Sequence, residues 1–199
     1  MENRSYKTKK ALAESLRSLM AEQKFEKISI ENICSRAGIN RRNFYRHFLD
    51  KYDLLGWIYE EDFKYDFDDH PDWTIIDYFP LFCRDLYAHR DFYIRAYQIT
   101  GQNGFREHCY SWLYPLLDRS TPGWCQSDEL KNKLMQIVTY ATFDSFVDWM
   151  KNEPDISPDE YAMRYIATVR DYTQALNKLY SRPPLSLFPE GQDDSENKK

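Results

Sequence analysis

Asn40-Arg41-Arg42-Asn43-Phe44-Tyr45-Arg46-His47-Phe48 places three guanidiniums, two amides, a phenol and an imidazole around two phenylalanines within nine residues. These groups suit the hydrogen-bonding surface of DNA. Arginine offers a planar fork of donors to guanine O6 and N7 or to phosphate, asparagine pairs with adenine, and tyrosine meets a thymine methyl or a phosphate oxygen. In a helix starting near Asn40, Phe44 and Phe48 share one arc, while Arg42, Tyr45 and Arg46 occupy the opposite one with Asn43 beside them. Only the first turns of such a helix reach deep into the major groove, so Asn40, Arg41 and Arg42 are the expected base readers. Tyr45, Arg46, His47 and Lys51 are expected on backbone phosphates.

A reading helix needs a partner to hold it, and the preceding residues describe one. Ser29 suits an N-cap and is counted with the expected DNA-contacting residues; Glu31 suits the positive helix end. Ile30, Ile33 and Ala37 then recur at helical spacing. Gly38 tolerates the left-handed backbone that ends a helix and turns the chain into the next. Upstream, Leu12, Leu16, Leu19 and Met20 stripe a first helix, and Phe25 closes a small core. Lys7, Lys9 and Lys10 stand where phosphate or minor-groove contacts are available, although a solvated N-terminus explains them nearly as well.

This segment resembles the N-terminal domain of TetR-family transcriptional regulators. The resemblance lies in Ile33 to Gly38, in Phe44-Tyr45-Arg46-His47-Phe48, and in Asp50-Lys51 opening a connecting helix, and it covers roughly residues 5 to 65. The wording from Asn40 to Phe48 followed by Asp50-Lys51-Tyr52-Asp53-Leu54 is similar to regulators of the dihydroxyacetone-kinase type. The resemblance implies a homodimer, an all-helical body, and DNA-binding heads whose spacing responds to an effector; repression is the family's commoner outcome. Two residues depart from the family pattern. Arg42 stands where many members carry a small residue, which bears on docking depth, and Cys34 stands where alanine is frequent, as a small buried hydrophobe.

Charge divides the chain in the same place. Residues 1–51 carry twelve Lys and Arg against six Asp and Glu, a net of +6, and the remainder carries −11 within an overall −5. A basic head on an acidic body steers a polyanion to one end. No run has the length of a membrane span, and the lysine-rich start lacks a signal peptide's apolar core, so a cytoplasmic protein is expected. Four cysteines, at 34, 83, 109 and 125, have neither zinc-site spacing nor the density of a disulfide scaffold, and reduced thiols are expected.

Helical periodicity persists beyond the head, giving an all-α expectation: a three-helix helix-turn-helix head over 1–52, a helical regulatory and dimerisation body over 53–180, and a flexible tail over 181–199. A connector carries Leu54, Leu55, Ile58 and Tyr59 toward Phe63. Further helices are expected over about 73–88, with a kink or break at Pro80, over 91–98 and over 104–117. Tyr87, Tyr93, Tyr97, Phe105, Tyr110 and Trp112 have the chemistry to line an effector pocket, although core packing accounts for most such aromatics. Two last helices start at Ser127 and at Ser157-Pro158. Leu134, Val138 and Val147 on the first, with Tyr165, Val169, Tyr172 and Leu176 on the second, form the expected dimer interface implied by the resemblance.

The expected partners are thus a second copy, a palindromic double-stranded operator, and a small effector or, alternatively, a protein partner. No cofactor or metal is expected: Asp66, Asp68, Asp69, His70 and Asp72 cluster without the glycine and ligand alternation of a calcium loop. An enzyme using His89, His108 or Cys109 near Asp85 or Glu107 is the remote rival. No nucleophile, base and orienter set is visible among them, so catalytic residues are not expected.

Overall fold

The computed structural model describes residues 4–64, 70, 72–99, 104–105, 107–110, 114 and 127–181. Among these, every regular element is helical. The order is α1 (Arg4–Glu22), a 3-10 turn (Phe25–Lys27), α2 (Ile30–Ala37), α3 (Arg41–Phe44), α4 (Lys51–Asp62), α5 (Ile75–Ala88), α6 (Arg90–Ala96), α7 (Asp128–Asn152) and α8 (Pro158–Tyr180). Chain packing divides into one unit reaching Ala162 and a second starting at Met163.

Helix α1 exists because its apolar residues fall on one face. Leu12, Ala13, Leu16, Leu19 and Met20 are all buried and meet Phe25, Ile28, Ile33 and Phe44 in the core of the head. Ser15, buried on the same face, donates its hydroxyl to the Ile33 carbonyl at 2.7 Å. That bond satisfies a buried hydroxyl and fixes α2 on α1.

Helix α4 leaves the head with Leu54, Leu55, Ile58 and Tyr59 buried. Its C-terminal Asp62 accepts from Arg17 of α1 at 2.5 Å and from the Tyr93 hydroxyl of α6, and the Arg17 guanidinium lies 4.4 Å from the Phe92 ring centre. Head, connector and body thus share one nearly buried charge cluster.

Aromatic rings fill the body of the first unit. Phe63 packs on Phe82 at 4.5 Å between centroids, Tyr93 on Phe105 at 4.8 Å, and Phe105 on Phe143 at 5.3 Å. Helix α5 runs through Pro80 without the expected break. The N–H that proline lacks would have met the carbonyl of Ile76, a residue 57% exposed, where water can replace it. Ser127 caps α7, and Trp149 donates its indole N–H to the Ile156 carbonyl at 3.0 Å, holding the turn into α8. Of the helix expected over 104–117, residues 106, 111–113 and 115–117 lie outside the described residues, as do Cys125 and the tail beyond Ser181.

Two stretches present apolar side chains to solvent. On α7 these include Leu130, Leu134, Ile137 and Val138. Within the second unit, Val169, Tyr172 and Leu179 are exposed, and Tyr165 and Leu176 on the same arc are half-buried.

Candidate nucleic-acid interface

Helix α2 starts with a reciprocal cap. Ser29 Oγ accepts from the Asn32 N–H at 3.1 Å while Asn32 Oδ1 accepts from the Ser29 N–H at 3.0 Å. Helix α2 stops at Gly38, whose φ of 66° and ψ of 28° are left-handed. Its N–H and that of Ile39 return to the carbonyls of Ser35 and Cys34. Two residues later Asn40 caps α3, its side-chain oxygen accepting from the Asn43 N–H at 2.8 Å. Two short helices joined by a left-handed glycine form a helix-turn-helix.

Phe44 and Phe48 are buried and 5.8 Å apart, so they anchor α3 on the head. The helix proper is a single turn, and residues 45–47 continue as a turn, which is shorter than the sequence periodicity suggests. Its outward residues nevertheless keep the expected phase. Asn40, Arg41, Arg42, Tyr45 and Arg46 are exposed, while Asn43 and His47 are half-buried. Arg4, Ser5 and Thr8 of α1 face Asn40, Arg42, Asn43, Arg46 and His47 across a groove of about 670 Å³. Ser5 Oγ lies 3.4 Å from His47 Nδ1 across it.

Two family models match the chain: "Bacterial regulatory proteins, tetR family" over residues 12–56 and "Transcriptional regulator C-terminal region" over residues 74–171. The chain belongs to the TetR family of transcriptional regulators. Its helix-turn-helix is therefore a DNA-binding one, and the family's members are regulators rather than enzymes. One curated TetR-type relative is the HTH-type dhaKLM operon transcriptional activator DhaS of Lactococcus lactis subsp. lactis (strain IL1403), 35% identical over 66 residues. That match spans 33% of this chain and about a third, 35%, of the relative. Two solved structures share the fold at 22% identity. The dihydroxyacetone kinase operon activator DhaS has a TM-score of 0.57 over 86% of this chain and 97% of its own. A TetR transcriptional regulator from Streptococcus agalactiae 2603V has a TM-score of 0.59 over 83% and 95%.

Within this TetR head the Lys51 side chain, expected on a phosphate, turns inward. The Lys51 ammonium donates to the carbonyls of Phe25, Glu26 and Ile28 at 2.8, 3.2 and 2.9 Å, and lies 4.5 Å from the Phe25 ring centre. All three of its protons are thereby used inside the head, and burial lowers its pKa against the pull of Glu26 and Asp50. Lys51 is a clamp between the connector and the turn before α2. Lys9 lies over Phe48 and Trp57, and Lys10 over Tyr6, so these two amines rest on head aromatics.

Five of the six expected effector-pocket residues lie among the described residues. Tyr93 and Phe105 are buried and pack ring on ring. The hydroxyls of Tyr87, Tyr97 and Tyr110 donate to the Pro154 carbonyl, to Asp144 and to Asn132. Trp112 lies outside the described residues.

Cys34, Cys83 and Cys109 are buried thiols whose pKa values burial raises, which makes them poor nucleophiles. Among the described residues no three His, Cys, Asp or Glu side chains could hold a metal, and no helix is long and apolar enough to cross a membrane. Asp66, Asp68 and Asp69 lie outside the described residues; His70 stacks on Trp73 at 4.0 Å and Asp72 is exposed.

Sequence reasoning missed Arg4, Ser5 and Thr8 as a wall of the interface. Their spacing from α3 in sequence carries no signal of this. Only the packing of α1 against the head brings them there.

Proposed function

We propose that the protein is a homodimeric, sequence-specific transcriptional regulator that binds a palindromic operator. Each head reads one half-site, and the body controls the separation of the heads. The observation that carries this is a helix-turn-helix whose outward face and adjoining groove are basic. Exposed apolar residues on α7 (Leu134 and Val138) and on α8 (Val169 and Tyr172, near half-buried Tyr165 and Leu176) give a second copy surface to cover, while half-buried Val147 lies on the opposite face of α7 from Val138. Two-fold pairing of heads calls for half-sites about one helical turn or a multiple apart.

Control follows from unequal binding of an effector to competent and incompetent head spacings. A small ligand in the helical body is the first reading. A protein partner is the second, and the intramolecular engagement of the Tyr87, Tyr97 and Tyr110 hydroxyls favours it. For the sign of regulation we adopt activation in place of the repression implied by family resemblance, because the similar DhaS proteins are named activators.

Selection from random duplex DNA with the purified protein, followed by affinities against scrambled DNA at fixed salt, tests the reading. A palindromic motif bound well above scrambled DNA is the expected result. Equal affinity for both would overturn it.

A further inference from the structure

Arg41 and Arg42 are neighbours in sequence, yet the fold sends them to different surroundings. Arg42 lines the groove with Arg4, Ser5, Thr8, Asn40, Asn43, Arg46 and His47, whereas Arg41 lies outside it on the arc of Tyr45. Of those eight lining residues, three are arginines, one is a histidine, and none is a carboxylate. A concave channel with that lining is complementary to a run of phosphodiesters and unsuited to a mixed-charge protein surface. The cleft at the joint of head and body is of mixed charge instead, because Glu14 and Asp91 line it alongside Arg17 and Arg90.

We infer that one DNA strand's phosphate backbone lies in the groove between α1 and α3. Arg4 and Arg42 grip it from opposite walls, and Arg41 is the arginine that reads a base. The inference rests on the DNA-binding reading and assigns its residues.

Three further observations agree with that division. The Ser5 hydroxyl engages His47 Nδ1 at 3.4 Å, so Nε2 is the ring nitrogen left to meet a phosphate, and Ser5 acts as its positioning residue. The Asn40 side-chain oxygen already accepts from the Asn43 N–H, which weakens Asn40 as a two-point reader of adenine. Lys51, whose ammonium is spent on three carbonyls, contributes nothing to the channel. A duplex seated with a strand in the groove then brings the first turn of α3, where exposed Arg41 stands, toward base edges.

The test is fluorescence titration of the full chain on its selected operator, on operators with single base-pair changes, and on random duplex, over a range of salt. Arg42→Ala and Arg4→Ala should each reduce the slope of log affinity against log salt by about 0.9 per head, on operator and random DNA alike. Arg42→Lys should keep the slope. Arg41→Ala and Arg41→Lys should leave the random-DNA affinity in place and reduce discrimination at one base pair of each half-site by about tenfold or more, because a lysine cannot reproduce the two-point fork. These side chains are exposed, and each variant's thermal melt, measured beside wild type, serves as the check that it folds. Base preference lost with Arg42→Ala but kept with Arg41→Ala would overturn the assignment while leaving the regulator reading intact. Unchanged salt slopes in both groove variants would do the same. A wild-type chain that binds no duplex ends both.

Discussion

Gly38 holds φ at 66°, and a Cβ added there would meet nothing within 4 Å. The cost of Gly38→Ala is therefore backbone strain without a clash, about 1–2 kcal/mol in chemical denaturation, with Gly38→Asn losing less. A neutral Gly38→Ala would contradict the turn geometry. Lys51 permits a complementary test. Lys51→Met leaves three carbonyls without their donor, so we expect a stability loss of about 1–3 kcal/mol with no change in the salt slope on random DNA. A reduced slope at unchanged stability would restore Lys51 to the phosphate contacts. The caps at Ser29 and Gly38 were legible in the sequence, since each acts on residues within four positions of itself, whereas Asn40, read there as a base reader, shows its capping role only in the structure. The fate of Lys51 was not, because its carbonyl partners lie 23 to 26 residues upstream.

Helices meet in this protein through a few polar contacts set in apolar packing. Arg17 of α1, Asp62 of α4 and Tyr93 of α6 form the one that joins head, connector and body, with the two charged side chains only 12% and 14% exposed. Asp62→Ala leaves a guanidinium buried without its counter-charge and should cost about 3 kcal/mol or more, whereas the double replacement Arg17→Met, Asp62→Leu should recover most of that. Additive losses in the double variant would argue against a coupled pair. In the body, burial lowers the pKa of His108 from the ordinary 6.5, opposed by Glu60. An unfolded chain then binds a proton that the folded one resists, so the His108 contribution to stability falls as pH drops below about 6.5. Melting at about pH 7.5 and about pH 5.5 should show a smaller acid-induced drop for His108→Gln than for wild type. Equal drops would place the pH sensitivity elsewhere. Helix existence and phase followed from apolar spacing in α1, α2 and α4, and existence alone in α7, while the Arg17 cluster, spanning 76 positions, carried no local pattern to find it by.

Along the whole chain, residues 1–51 carry a net +6 and the remainder −11, a division legible from the sequence alone that favours DNA contact by the head. The second wall of the proposed DNA site was not legible, because Arg4, Ser5 and Thr8 reach it only once α1 has packed against the head. In the proposed dimer, two copies present two heads at a fixed separation. Sedimentation of the protein with its selected palindrome, with one half-site, and with a palindrome lengthened at its centre by about half a helical turn, about 5 base pairs, tests that claim directly. Two chains on the intact palindrome, with affinity lost on the lengthened one, is the predicted result. A single chain binding the half-site as tightly as the palindrome would contradict it.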